Sequence, residues 1–243
     1  MKEYVKIYGA PRSGTNHMRF VLKDNFQDVI AYTDVLGFRQ WPHPVEVNWE
    51  GQDWSMRQNI AAKKKTIKGH VKLVTPDLKK AFKEGRVKYL VTARHPCACY
   101  LSRMKKRFKR REMKKALHPV GVFWFCLYWN SIHWNWINQV IRRLPEKSIL
   151  VKHEDVVSDF QNEMSKIGRK FGWKAQHPQF RTPSRKLHPS GLDTSPGPLY
   201  EKRGYDPQYD SKYKFLQELP QPIRTEFQTY LDQELMKFLG YSL

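Results

Sequence analysis

Along the chain, short apolar or β-branched runs alternate with stretches whose apolar residues recur every three or four positions. Residues 4–8 (YVKIY) form a β-branched and aromatic run that stops at Gly9, which reads as a strand. Met18, Val21, Leu22 and Phe26 then recur at helical spacing. Residues 27–62 are aromatic and polar with weak periodicity, a pattern that predicts loops and short helices. Residues 66–71 (TIKGHV) read as a strand and its exit. A short helix follows in LVTPDLKKAFKEG, with Pro76 in its first turn and Gly85 as its stop. Residues 87–93 (VKYLVTA) are almost continuously apolar, as a parallel strand buried on both faces would be. Cys97, Leu101, Met104 and Phe108 then mark one stripe of a helix.

The second half continues the alternation. A helix is predicted over residues 120–143. Its opening run, 120–129 (VGVFWFCLYW), is only about half a membrane span and reads as buried. Residues 148–153 (SILVKH) form a strand, and Val156, Phe160, Met164, Ile167 and Phe171 keep step along one helix after it. Residues 174–214 are rich in Pro, Ser, Gly and basic side chains, which predicts a long irregular loop. A last amphipathic helix is expected over residues 223–239. No internal repeat is visible. Strands alternating with helices specify an α/β fold around a central parallel sheet flanked by helices, expected as one domain spanning residues 1–243.

Composition narrows the picture. The 243 residues are 40% apolar and 14% aromatic, which excludes disorder throughout. With 44 basic and 23 acidic residues the net charge is +21. Such a surface suits nucleic acid, an anionic membrane or polymer, or a phosphate-bearing ligand. The charge peaks in residues 105–115 (KKRFKRREMKK), with eight basic residues and one acid. That run is either a solvated helix face or a contact for an acidic polymer or membrane surface. Cys97, Cys99 and Cys126 have neither a disulfide-framework nor a zinc spacing. Reduced thiols and the absence of a signal-like or membrane-spanning segment suggest a cytoplasmic protein. No metal is expected.

The candidate chemistry starts at residues 9–16, GAPRSGTN. Gly9 and Gly14 have phosphate-loop spacing, but Thr15 stands where that signature has Lys. A turn between a strand and a helix lies where α/β sheets bind ligands. Helix amino termini offer unpaired N–H groups and partial positive charge. Ser13, Thr15 and Asn16 add polar side chains, and Arg12 adds a fork matched to phosphate or sulfate oxygens. The bland alternative is an ordinary capped turn.

With this context the PRSGT segment resembles the 5′-phosphosulfate loop of sulfotransferases that use 3′-phosphoadenosine 5′-phosphosulfate (PAPS). Asn16 stands where that family usually has a second Thr. A second segment is similar as well: Arg94 closes the 87–93 strand and Ser102 follows eight residues later in the next helix. The resemblance implies that Arg94 and Ser102 bind the 3′-phosphate, which ATP lacks. The segment ILVKHEDVVSDF resembles a third family segment, with His153 in place of the usual Tyr; Asp155 is read as a helix cap and Glu154 as part of a buried polar network. The ending, through KRGY to LGY, resembles the family's closing part, and makes Lys202, Arg203 and Gly204 candidates for a lid over the nucleotide.

The resemblance implies a three-layer P-loop-like sandwich and sulfuryl transfer from PAPS to a hydroxyl or amine, with 3′,5′-bisphosphoadenosine (PAP) as product. Arg12 would neutralise charge on the leaving phosphate. His70, two residues after Lys68, would be the base, with Lys68 holding the sulfuryl group; Glu46 and Glu50 are alternative bases. His17 would stack on adenine. Trp41, Trp49, Trp54 and the apolar helix from Val120 could wall a lipid or phenol pocket, whereas the basic run favours a carbohydrate or glycolipid acceptor. The rivals are a P-loop-like kinase or NTPase and a basic nucleic-acid-binding protein. The first lacks its Lys, and charge alone does not specify the second.

Overall fold

Parallel strands need a crossover between them, and the alternation of apolar runs with helical stripes supplies one each time. The computed structural model describes residues 2–33, 76–107, 117–182 and 212–243. Among these residues, β1 (Glu3–Gly9), β2 (Val29–Tyr32), β3 (Lys88–Ala93) and β4 (Ser148–Lys152) form one sheet in the order β2-β1-β3-β4. Every neighbouring pair is parallel. Gly9 pairs with Thr92, and Thr92 with Val151, so the carboxyl ends of β1, β3 and β4 are level.

Strand side chains alternate between faces, and both faces are apolar here. Val5, Ile7, Leu90 and Val151 pack with Met18, Val21 and Leu22 of α1 (Thr15–Asn25) and with Met164 and Ile167 of α6 (Phe160–Phe171). Tyr4, Tyr8, Tyr89, Val91 and Ala93 share the other core. That core is covered by α2 (Pro76–Lys83), α3 (Pro96–Arg107), α4 (Pro119–Trp136), α7 (Gln221–Tyr230) and α8 (Gln233–Leu239). The result is an α/β fold of three layers with a central parallel sheet. Trp129 and Trp136 of α4 are fully buried, and burying a large apolar side chain contributes roughly 1.5–3 kcal/mol. Lys6 is the polar exception in β1. Its buried ammonium donates to the Thr33 carbonyl at 2.8 Å and lies 5.0 Å from the Tyr8 ring centroid, as a buried cation requires.

Several elements differ from the expectation. Residues 29–32 are a strand where loops and short helices were expected; four residues at the edge of the described sheet are too few to display a period. The helix predicted over 120–143 changes to a π-helical turn at Ile137–Arg142. The helix expected after β4 is two helices, α5 (His153–Ser158) and α6, broken at Asp159. Asp159, not Asp155, is the side-chain cap, accepting from the Asn162 N–H at 3.4 Å. The last helix also breaks in two. Asp232 accepts from the Leu235 N–H at 2.9 Å and from Trp134 Nε1–H at 2.7 Å, starting α8 as a new helix. Residues 120–129 are helical as expected, but only one stripe of them is buried. The strand expected over 66–71 and most of the 174–214 loop lie outside the described residues.

Candidate functional site

The strand order creates a switch point. The chain leaves β1 toward β2 on one side and leaves β3 toward β4 on the other. The two loops diverge, and a crevice opens at the carboxyl ends of β1 and β3. The segments that follow these two strands are GAPRSGTN and ARHP.

Within the first loop the Ser13 N–H donates to the Ala10 carbonyl at 3.0 Å, closing a tight turn. Arg12 lies at φ 75° and Gly14 at φ 88°. A Cβ on Gly9 would stand 2.1 Å from Thr92 Oγ1 and 2.3 Å from Ser13 Oγ, so only glycine fits where β1 meets the loop. The Thr92 hydroxyl donates to the Tyr8 carbonyl at 3.0 Å. Its one hydrogen is thereby used, and the bond of 2.9 Å to Ser13 must be donated by the Ser13 hydroxyl. Ser13, expected among the ligand-facing donors, is buried here and braces the loop against β3.

Helix α1 begins at Thr15, and its first intrahelical bond runs from the Met18 N–H to the Gly14 carbonyl at 2.9 Å. Gly14 has no side chain to cap this end, and the first turn contains no acid. The helix terminus, with Thr15, Asn16 and His17 in its first turn, therefore keeps the partial positive charge that attracts anions.

The second segment meets the first at Arg12. Arg12 Nε donates to Ser102 Oγ of α3 at 2.9 Å, and Arg94 Nη1 donates to the Arg12 carbonyl at 3.2 Å. The PRSGT arginine and both residues of the strand–Arg–Ser segment thus converge, although Arg12 and Ser102 are 90 positions apart. Among the described residues no carboxylate pairs with Arg12. Burial, and then the charge of Arg94, lowers the Arg12 pKa. Two guanidinium groups so placed favour a shared anion over each other's company.

A buried network backs Arg94. The N–H of His95 donates to Glu154 Oε1 at 2.8 Å, and the Tyr241 hydroxyl donates to Glu154 Oε2 at 3.0 Å. His95 Nδ1 accepts from the Cys97 N–H at 3.3 Å, so Nε2 carries the proton that reaches the Ser242 carbonyl at 2.8 Å. Glu154 therefore has the buried structural place read from its sequence. Burial raises its pKa against these hydrogen bonds. The carboxyl-terminal residues are fastened beneath the loop that carries Arg94.

His17 and His153 meet edge to face at 6.0 Å beside the loop. Burial, with the neighbouring His153, pushes the His17 pKa down to about 3, so its imidazole is neutral near pH 7. His153 starts α5 and packs on Gly14; a Cβ there would come within 2.8 Å of His153 Nδ1.

Arg12, Ser13, Gly14, Thr15, Asn16, His17, Arg94 and Ser102 are thus gathered at the carboxyl ends of β1 and β3. His70, Lys68, Lys202, Arg203 and Gly204 lie outside the described residues, as do Glu46, Glu50, Trp41, Trp49 and Trp54. The sequence reading missed Thr92, His95 and Ser242 as supports. The RHP triplet after the strongest strand was the available signal for His95. No pattern marked Thr92, whose role arises from strand register.

No family model matches the sequence, and no curated protein matches it. Among solved structures, the sulfotransferase domain from the curacin biosynthetic pathway matches over 100% of this chain and 99% of its own, with a TM-score of 0.50 and 16% identity. The sulfotransferase domain from the Synechococcus PCC 7002 olefin synthase covers 100% of this chain and 97% of its own, with a TM-score of 0.49 and 15% identity. At the first of these scores and so low an identity the likeness is one of architecture: the chain has a sulfotransferase-like fold.

Proposed function

We propose that this protein is a sulfotransferase that moves a sulfuryl group from PAPS to a hydroxyl or amine acceptor. The observation that carries the reading is the convergence of Arg12, Arg94 and Ser102 beside the uncapped start of α1. A donor with phosphates at both its 5′ and 3′ positions uses both halves of that constellation. The residues suit it: Arg12 Nε meets the Ser102 hydroxyl and Arg94 meets the Arg12 carbonyl, so two cations and a hydroxyl share one end of the sheet.

The donor supplies an activated sulfuryl group on a phosphate leaving group. The α1 terminus and Arg12 hold the 5′ end and offset the charge that grows there. Arg94 and Ser102 hold the 3′-phosphate. In the transfer the acceptor oxygen forms a bond to sulfur while the bond from sulfur to the bridging phosphate oxygen breaks. The acceptor proton passes to His70 and Lys68 holds the sulfuryl group, the roles that the family resemblance implies. The acceptor class favoured by the basic surface is a carbohydrate or glycolipid.

Calorimetric titration with PAP, ATP and a DNA oligomer tests the reading. PAP should bind more tightly than ATP, and Arg94→Ala should weaken PAP by roughly 10–100-fold, the loss of one charge-assisted bond. Tight, steeply salt-dependent binding of the oligomer without PAP binding would overturn it. Labelled PAPS offered with glycans, lipids, phenols and peptides then identifies the acceptor.

A further inference from the structure

We infer that the outward face of the first half of α4 docks this protein on anionic lipid bilayers. One helix face carries positions 120, 124, 127 and 131. The opposite stripe, Val122, Phe125, Cys126, Trp129 and Trp136, fills the core. A helix with a core stripe ordinarily keeps its other face polar. In α4 the outward face becomes polar only at Ser131; before it stand Val120, Trp124 and Leu127, exposed by 56%, 64% and 44%. The patch continues onto α7. Phe123 meets Trp124 at 5.2 Å and Tyr230 at 5.0 Å, both edge to face. An apolar surface shared by two helices is more than a stray exposed side chain.

The charge of Arg103 and of the sequence that leads into α4 selects the partner. The Tyr100 hydroxyl of α3 lies 3.1 Å from where a Cβ of Gly121 would stand, so α3 packs on the start of α4. Arg103, exposed on α3, is close enough to act electrostatically on Tyr128 of α4. By composition, residues 108–116 between the two helices add Lys109, Arg110, Arg111, Lys114 and Lys115 against Glu112. Protein interfaces deplete lysine and place aromatic anchors in pockets. A basic stretch leading in sequence into a helix face with an outward Trp is instead the pattern of surface attachment to anionic lipid. Among the described residues no helix is long and apolar enough to cross a membrane, and a face of two helical turns would enter only the interfacial layer.

The test is co-sedimentation of the full chain with phosphatidylcholine vesicles, with and without about 30% phosphatidylserine, the anionic lipid of cytoplasmic leaflets. Binding should require phosphatidylserine and weaken as salt rises from about 0.1 to 0.5 M. Trp124→Glu should reduce the vesicle-bound fraction about tenfold by placing a like-charged carboxylate in the contact. Trp124→Phe should keep binding but remove most of the quenching of tryptophan emission by lipids brominated in the acyl chain. Three results would each overturn the inference. They are no binding to phosphatidylserine vesicles, binding insensitive to Trp124→Glu, and a concentration-dependent dimer in sedimentation velocity that Trp124→Glu abolishes. Unchanged PAP titration and urea unfolding of Trp124→Glu show that the variant is folded and keep this test independent of the donor site.

Discussion

Replacing Gly14 by Ala perturbs the site through one methyl group. Gly14 sits at φ 88°, where an L-residue is strained, and its new Cβ would lie 2.8 Å from His153 Nδ1. The left-handed conformation costs about 1–2 kcal/mol for a residue with a Cβ. Pushing His153 aside adds about 1–3 kcal/mol, as overpacking does elsewhere. The sum, roughly 2–5 kcal/mol, corresponds to a fall in Tm of about 4–20 °C for a chain of this size. PAP affinity should fall as well, because Gly14 sets the direction of the first N–H groups of α1. Differential scanning calorimetry and PAP titration read the two effects. The double variant Gly14→Ala/His153→Ala should recover only the contact part and retain the backbone strain. A Tm for Gly14→Ala within about 1 °C of the parent protein would refute the reasoning. Full recovery in the double variant would refute the strain component alone.

Two further outcomes follow from the buried polar groups. Glu154→Ala removes the acceptor of both the His95 N–H and the Tyr241 hydroxyl. It should cost roughly 2–6 kcal/mol in urea unfolding, about 1–3 kcal/mol for each donor left unsatisfied, and should weaken PAP binding by loosening the loop that carries Arg94. The second concerns pH. Burial pushes the His133 pKa down to about 4, against the hydrogen bond to the Trp129 carbonyl, and burial pushes His17 to about 3. His133 Nδ1–H donates to Trp129, and Nε2 is buried without a partner for a second proton. Below the ordinary histidine value near 6.5 the unfolded chain takes up protons that the folded chain refuses. Stability is therefore full above about pH 6.5 and falls as pH drops toward 4, by roughly 3 kcal/mol for His133 alone. Urea midpoints between pH 7.5 and 4.5 should decline accordingly, and the decline should be shallower in His133→Gln.

The sequence already held the local half of the site. A β-branched run ending at Gly9, a loop with glycines at 9 and 14, and a helical stripe starting at Met18 are nearest-neighbour signals, and all three elements appear where they were read. Arg94 was legible because it terminates the most apolar strand, and Ser102 because it lies on the helix that follows. Elements governed by a single capping residue were less legible. Asp159 and Asp232 interrupt apolar periodicities that run on across the breaks, so the pattern joined helices that the caps separate.

The tertiary structure alone decided what the pieces do to one another. Strand order put the ends of β1 and β3 side by side, and that brought Arg12 to Ser102 and Arg94 to the Arg12 carbonyl. Register put Thr92 opposite Gly9 and turned Ser13 inward. Chain return carried Tyr241 and Ser242 beneath His95. Packing also chose which stripe of an almost wholly apolar helix is buried and which, with Trp124, faces outward. A sequence determines its local conformations through steric and capping preferences that act over a few residues. Contacts across 90 positions depend on how twisted strands and their crossovers pack into one sheet, and no local preference encodes that choice.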